Sequence, residues 1–169
     1  MTRPAMVISS PVHTSDSRYW IAEDVPSPLH PDHSSGIVDL FPGAAAVITG
    51  TGTGPVGLTL ELHEAAPPLR TDDWDEVVDF TLWAHDGILR IVETVDRKIS
   101  YPLLSWQGPG GYRIRLHARG RDAAYDLTPE TPIEHHLIQV WPTEADEEEP
   151  VEHHKLTDAL GSHRRSRRR

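Results

Sequence analysis

The chain has no cysteine. That excludes a disulfide framework and a thiolate nucleophile. Hydrophobic residues are also scarce at 37%, so the core is expected to be modest and part of the chain to stay unpacked. No apolar run is long enough to cross a bilayer. The opening residues MTRPAMVISSPVHTSD carry one Arg and a short apolar patch, too short for the core of a secretion signal. These absences point to a cytoplasmic protein. Lysine is rare, 2 residues against 14 arginines, and Ala, Gly and Pro are frequent, a bias of high-GC bacteria. No internal repeat is present, and no run holds a helical period beyond about two turns.

Acid is what the chain has in excess. Its 169 residues carry a formal charge of −10 and fit one domain plus a tail. Residues 1–143 hold 10 Lys+Arg against 19 Asp+Glu, a balance of −9, and are read as the folded domain. Residues 144–169 hold 6 against 7 and are read as a disordered tail, acidic in Glu144–Glu149 and basic in Arg164–Arg169, with a short helix near Leu156–Leu160. An acidic body repels membranes and nucleic acid and favours a basic protein partner. Only Arg164–Arg169 offers an anionic polymer anything to hold.

Period-two patterns dominate the first 143 residues. Met6–Ser9 and Arg18–Ala22 read as early strands, and Glu23–Gly36, rich in Pro, Ser and Asp, reads as a loop. Ala44–Gly50 is a short apolar run, and Thr51–Pro55 a turn. In VGLTLELHE, Val56, Leu58, Leu60 and Leu62 take one face and Thr59, Glu61 and His63 the other. EVVDFTLWA puts Val78, Phe80 and Leu82 together. Asp86-Gly87 is a hairpin signal before a strand over Ile88–Val95. Arg97–Trp106 reads as an edge strand because it contains Pro102. YRIRLHARGR alternates Tyr112, Ile114 and Leu116 with Arg113, Arg115 and His117. HHLIQVW, His135–Trp141, is the last strand, ended by Pro142. About eight or nine strands at this spacing predict an all-β fold, a two-sheet antiparallel sandwich of jelly-roll type.

Three groups of residues carry candidate chemistry. Eleven histidines include His30 and His33 in HPDH and the adjacent pairs His135-His136 and His153-His154. A zinc site needs three or four ligands on rigid elements, and these are in loops, scattered, or on opposite strand faces, so exposed or packing histidines are the preferred reading, with no metal and no cofactor. Were a metal held by His30, His33 and a further His, the chain would be a metal-dependent jelly-roll enzyme. The carboxylates Asp72, Asp73, Asp75, Glu76 and Asp79 form the second group. They make a candidate surface for a basic partner, with Trp74 as the aromatic anchor; the plain alternative is a solvated loop and strand face, with Trp74 in the core. The third group is the row of cations. Strand alternation accounts for Arg113, Arg115 and His117 as an outward face, leaving Arg119 and Arg121 at the bend around Gly120 as secondary ligand candidates.

Phe80, Gly87, Ile88, Ile91, Lys98, Ser100, Tyr101, Gly111 and Tyr112, in their order over Asp75–Arg115, resemble the competence protein J family, known for inhibitors of a DNA-entry nuclease. YRIRLHARGRDA is also similar to uncharacterised actinobacterial proteins. The resemblance covers about a quarter of the chain and rests mostly on turn and core residues. It implies a β-sandwich and a non-enzymatic inhibitor or immunity-type role, with no inhibitory residue carried over. A structural component of a larger assembly, joined through a sheet edge or the tail, is the alternative.

Overall fold

A computed structural model describes residues 3–27, 30–144 and 149–157. It contains eleven strands among these residues: β1 (Met6–Thr14), β2 (Arg18–Ala22), β3 (His33–Ser34), β4 (Val38–Phe41), β5 (Ala44–Ile48), β6 (Gly54–Leu62), β7 (Glu76–Ala84), β8 (Arg90–Val92), β9 (Gly110–Arg119), β10 (His135–Thr143) and β11 (Glu152–Lys155). They form a six-stranded sheet in the order β1-β6-β10-β9-β7-β11 and a five-stranded sheet in the order β3-β4-β5-β2-β8. The fold is an open all-β antiparallel sandwich of jelly-roll type, with one parallel pair, β6 and β10.

The alternating patterns decide which face is inside. Along β6 burial alternates without a break, Val56, Leu58, Leu60 and Leu62 pointing inward. They meet Val78, Phe80 and Leu82 of β7, Tyr112, Ile114 and Leu116 of β9, and Ile138 and Val140 of β10. Tyr19 and Ile21 of β2, Val47 of β5 and Ile91 of β8 close the core from the other sheet. A second apolar cluster of Trp20, Phe41, Ile48, Val92 and small alanines lies on the opposite face of the five-stranded sheet.

Several expectations are corrected. Asp86-Gly87 does not close a hairpin: β7 and β8 belong to different sheets, and the bend carries the chain across the sandwich. The partner of β7 is β9, through nine aligned residue pairs, whereas β8 offers only three and pairs with β2. Residues 97–106 are not an edge strand. Only Ile99 bridges Val92, and the rest crosses the end of the sandwich. This connection is held by Tyr101, whose hydroxyl donates to the carbonyls of Ser10 and Leu58, and by Leu104 N–H donating to Leu89 O at 2.8 Å. Strand β10 continues through Pro142, whose missing N–H the sheet tolerates near the strand end. Beyond it, residues read as disordered tail supply β11, which pairs with the free edge of β7. The remainder of that tail, residues 145–148 and 158–169, lies outside the described residues, and with it Arg164–Arg169 and most of the helix expected near Leu156–Leu160. Leu156 and Thr157 are not helical.

Candidate functional site

The outward face of the six-stranded sheet is not a wet surface. Arg113, Arg115 and His117 stand on it as the alternation requires, yet they are 3%, 6% and 2% exposed. Two segments cover them: residues 64–75 and residues 149–155. Arg115 Nε and Nη2 grip Asp79 at 2.9 and 3.1 Å, Nη1 donates to Pro67 O at 3.0 Å, and the guanidinium lies 5.0 Å from the Trp141 ring. His154 adds a contact to Asp79 at 3.1 Å. Arg113 donates to Thr81 Oγ1 and Pro150 O and reaches Glu152 at 3.4 Å. Planar guanidinium groups with several acceptors suit such desolvated places.

His117 donates from Nδ1 to Leu137 O at 3.0 Å. Burial pushes its imidazole down to about 4, and the nearby Arg115 charge adds to the fall against the opposing Leu137 hydrogen bond. The ring is therefore neutral, and with Nδ1 donating, Nε2 is an acceptor. The Trp74 ring packs against it, tilted, at 5.3 Å between centroids, and the exposed Arg119 sits 4.9 Å over the same indole. Trp74 is half-buried and belongs to the cover of this face rather than to the core between the sheets.

The acidic group thus divides. Asp72, Asp73 and Asp75 are exposed, Asp75 also accepting from Gly120 N–H at 3.0 Å. Glu76 and Asp79 are 0% and 4% exposed and cannot meet a partner. Asp79 is consumed by Arg115; Glu76 has the inward parity of Val78 and Phe80 and receives Arg121 Nη1 at 2.7 Å. Arg121 is itself 2% exposed and also donates to Gly36 O at 2.7 Å, so it is a structural cation and not a ligand candidate. Of the two secondary candidates only Arg119 is on the surface.

Beside Arg121 lies a polar network that the sequence did not reveal. Glu134 Oε1 accepts from Gly50 and Thr51 N–H at 2.9 and 2.8 Å; its Oε2 is 2.6 Å from His136 Nε2, and His136 Nδ1 is 2.8 Å from the Tyr19 hydroxyl. The order hydroxyl, imidazole, carboxylate is that of a nucleophile, a base and its orienter. All three residues are at most 2% exposed, so the group ties the two sheets together rather than meeting a substrate. Burial drives the Tyr19 phenol well above its usual range, and the Glu134 charge adds to it. Burial also pushes Glu134 upward, but His136, Thr51 N–H and Arg121 outweigh it and hold the carboxyl below its usual range.

A cavity of about 390 Å³ opens on the covered face, between strands β6, β10 and β9 and the 64–75 segment. Glu61, His63, His117 and Gln139 line it from the sheet, and Arg70, Asp72, Asp73 and Trp74 from the cover. A larger cavity of about 590 Å³, lined by Asp32, His33, Phe41, Trp83 and His85 among others, has a single carboxylate. Among the described residues no three or more His, Asp or Glu side chains are grouped to hold a metal ion. The His33 ring lies 5.9 Å from that of His153, and His30 is exposed. No helix among the described residues is long and apolar enough to cross a membrane.

No protein-family model matches the chain, and no curated protein matches it in sequence. A solved structure titled "Crocagin biosynthetic gene J" is similar, with a TM-score of 0.54 and 15% identity over 82% of this chain and 98% of that one. Likeness at that identity is a likeness of fold: the chain shares the sandwich of crocagin biosynthetic protein J at a distance.

Proposed function

We propose that this is a non-enzymatic cytoplasmic binding protein that holds a basic protein partner on the covered face of its six-stranded sheet. The resemblance to competence protein J makes an inhibitor or immunity-type protein directed at a nuclease the specific form of this proposal. The observation that carries it is the convergence of Glu61, Asp72 and Asp73 with Trp74 on one cavity, while Arg113 and Arg115 beside it are buried in ion pairs. Opposite charge would steer such a partner and make association fall with salt. Nucleic acid is disfavoured by the same fact, because Arg113 and Arg115 of β9 are committed to protein acceptors and leave Arg119 alone of that strand's arginines at the surface to meet phosphates.

The test is titration with an arginine- and lysine-rich peptide at low and high salt. The wild type is expected to bind at low salt, and Asp72→Asn with Asp73→Asn to weaken binding. Asp96→Asn with Glu130→Gln, which removes two exposed charges elsewhere, should leave it close to wild type. Equal loss in both double variants would mean a diffuse charge effect and would end the proposal. A second reading, assembly through the β1 edge, draws on the exposure of Met6 and Val7, 44% and 55%; it requires self-association that persists at high salt.

A further inference from the structure

The 390 Å³ cavity is lined by polar groups whose hydrogen bonds are only partly used. Glu61 Oε1 already accepts twice, from His63 Nε2 at 2.8 Å and from Gln139 Nε2 at 3.0 Å. Each of those bonds fixes what its donor has left. His63, 3% exposed, gives its Nε2–H to the carboxylate, and its buried Nδ1 has no partner among the described residues. Gln139 gives an amide hydrogen, and its buried Oε1 has none either. His117 uses Nδ1–H on Leu137 O, leaving Nε2 as an acceptor. The second oxygen of Glu61 makes no hydrogen bond among the described residues. His117 Nε2 and the second oxygen of Glu61 are therefore the acceptors turned to this space, with His63 and Gln139 enclosed beside them. Asp72 and Asp73 add two carboxylates at its rim, against the single cation Arg70.

Acceptors left without donors in a recess lined by carboxylates favour a donor-rich cation over an anion or an apolar group. A guanidinium offers five N–H donors in one plane and stacks on indole, as Arg119 already does on Trp74. An ammonium offers three donors to one point and cannot reach as many of these acceptors. We infer that the cavity bounded by Glu61, His63, His117, Gln139 and Trp74 is a recognition pocket for one guanidinium side chain. This rests on the proposed binding of a basic partner and names the partner's anchor as arginine rather than lysine. A second source of the same group is the chain's own Arg164–Arg169.

The experiment is an NMR titration of the full chain, following the imidazole signals of His63 and His117, with N-acetyl-arginine amide and N-acetyl-lysine amide as probes. The arginine probe is expected to shift both imidazoles and to bind at least about ten-fold more tightly than the lysine probe. Glu61→Gln should abolish that preference. Because it also disturbs the His63 and Gln139 bonds, Asp72→Asn with Asp73→Asn, confined to exposed residues, should weaken the arginine probe as an independent check. Equal binding of both probes, or shifts at neither imidazole, overturns the inference. Replacing the five arginines of 164–169 by glutamine separates the sources: tighter binding of the probe makes the chain's own arginines the competing occupant, and unchanged binding leaves the partner's arginine. Arginine preference without salt-sensitive binding of the basic peptide keeps the pocket and removes the partner reading; peptide binding without arginine preference does the reverse.

Discussion

Acidification isolates the contribution of His117. Its imidazole takes up a proton near 6.5 when unfolded and near 4 when folded, because burial beneath Trp74 opposes the charge and Arg115 adds to the opposition. Between those values the unfolded chain binds the extra proton, so stability is full above the unfolded value and falls as pH drops toward 4. At about 1.4 kcal/mol per unit, this group alone removes about 2 kcal/mol by about pH 5 and about 3 kcal/mol by about pH 4. The residue is only 2% exposed, so solvent screening does not reduce the figure much. The assay is urea unfolding of the wild type and His117→Asn at matched pH. The asparagine amide can still donate to Leu137 O but does not titrate, and every other titrating group cancels in the comparison. The stability of the wild type relative to the variant should fall by about 2 kcal/mol between about pH 7 and pH 5. Parallel curves, or an imidazole that titrates near 6.5 in the folded protein, would refute the burial argument.

Further outcomes follow from the covered face and the buried network. Arg115→Met should cost about 3–5 kcal/mol in chemical unfolding, because it strands the buried Asp79 carboxylate; adding Asp79→Leu should recover much of that loss, since the remaining cost is no longer an unpaired charge. Gly50→Ala should fail to reach the native state, as a Cβ there would lie 1.7 Å from Arg121 O, a backbone atom that cannot step aside; a folded variant with native near-ultraviolet dichroism would contradict the packing at that point. Asp72→Asn with Asp73→Asn should stay within about 0.5 kcal/mol of wild type in unfolding while changing binding, because both side chains are exposed.

The sandwich was legible because its long strands repeat with period two and its core residues are apolar; β6 and β9 point inward as their patterns require. The strands that were missed, β3, β4 and β11, are two to four residues long, too short to show any period. The site was less legible, for a reason visible in β9. Alternation says which side chains share a face and nothing about what lies over it. Arg113, Arg115 and His117 read as a wet surface because their cover comes from residues 64–75 and 149–155, segments that look like a connection and a tail. Glu76 differs: its inward parity was readable beside Val78 and Phe80, but its partner Arg121 stands 45 residues on, beyond the end of another strand, where no spacing rule reaches. Charge counting fails and succeeds in the same way. Arg115 with Asp79 and Arg121 with Glu76 cancel in the sum, and the other buried carboxylates, Asp39, Glu93 and Glu134, outnumber buried Arg113, so most but not all of the surplus acid of the first 143 residues lies at the surface. The sign of that surface was therefore foreseeable from composition, whereas its focus around Asp72, Asp73 and Glu61 depends on which arginines the fold had already withdrawn.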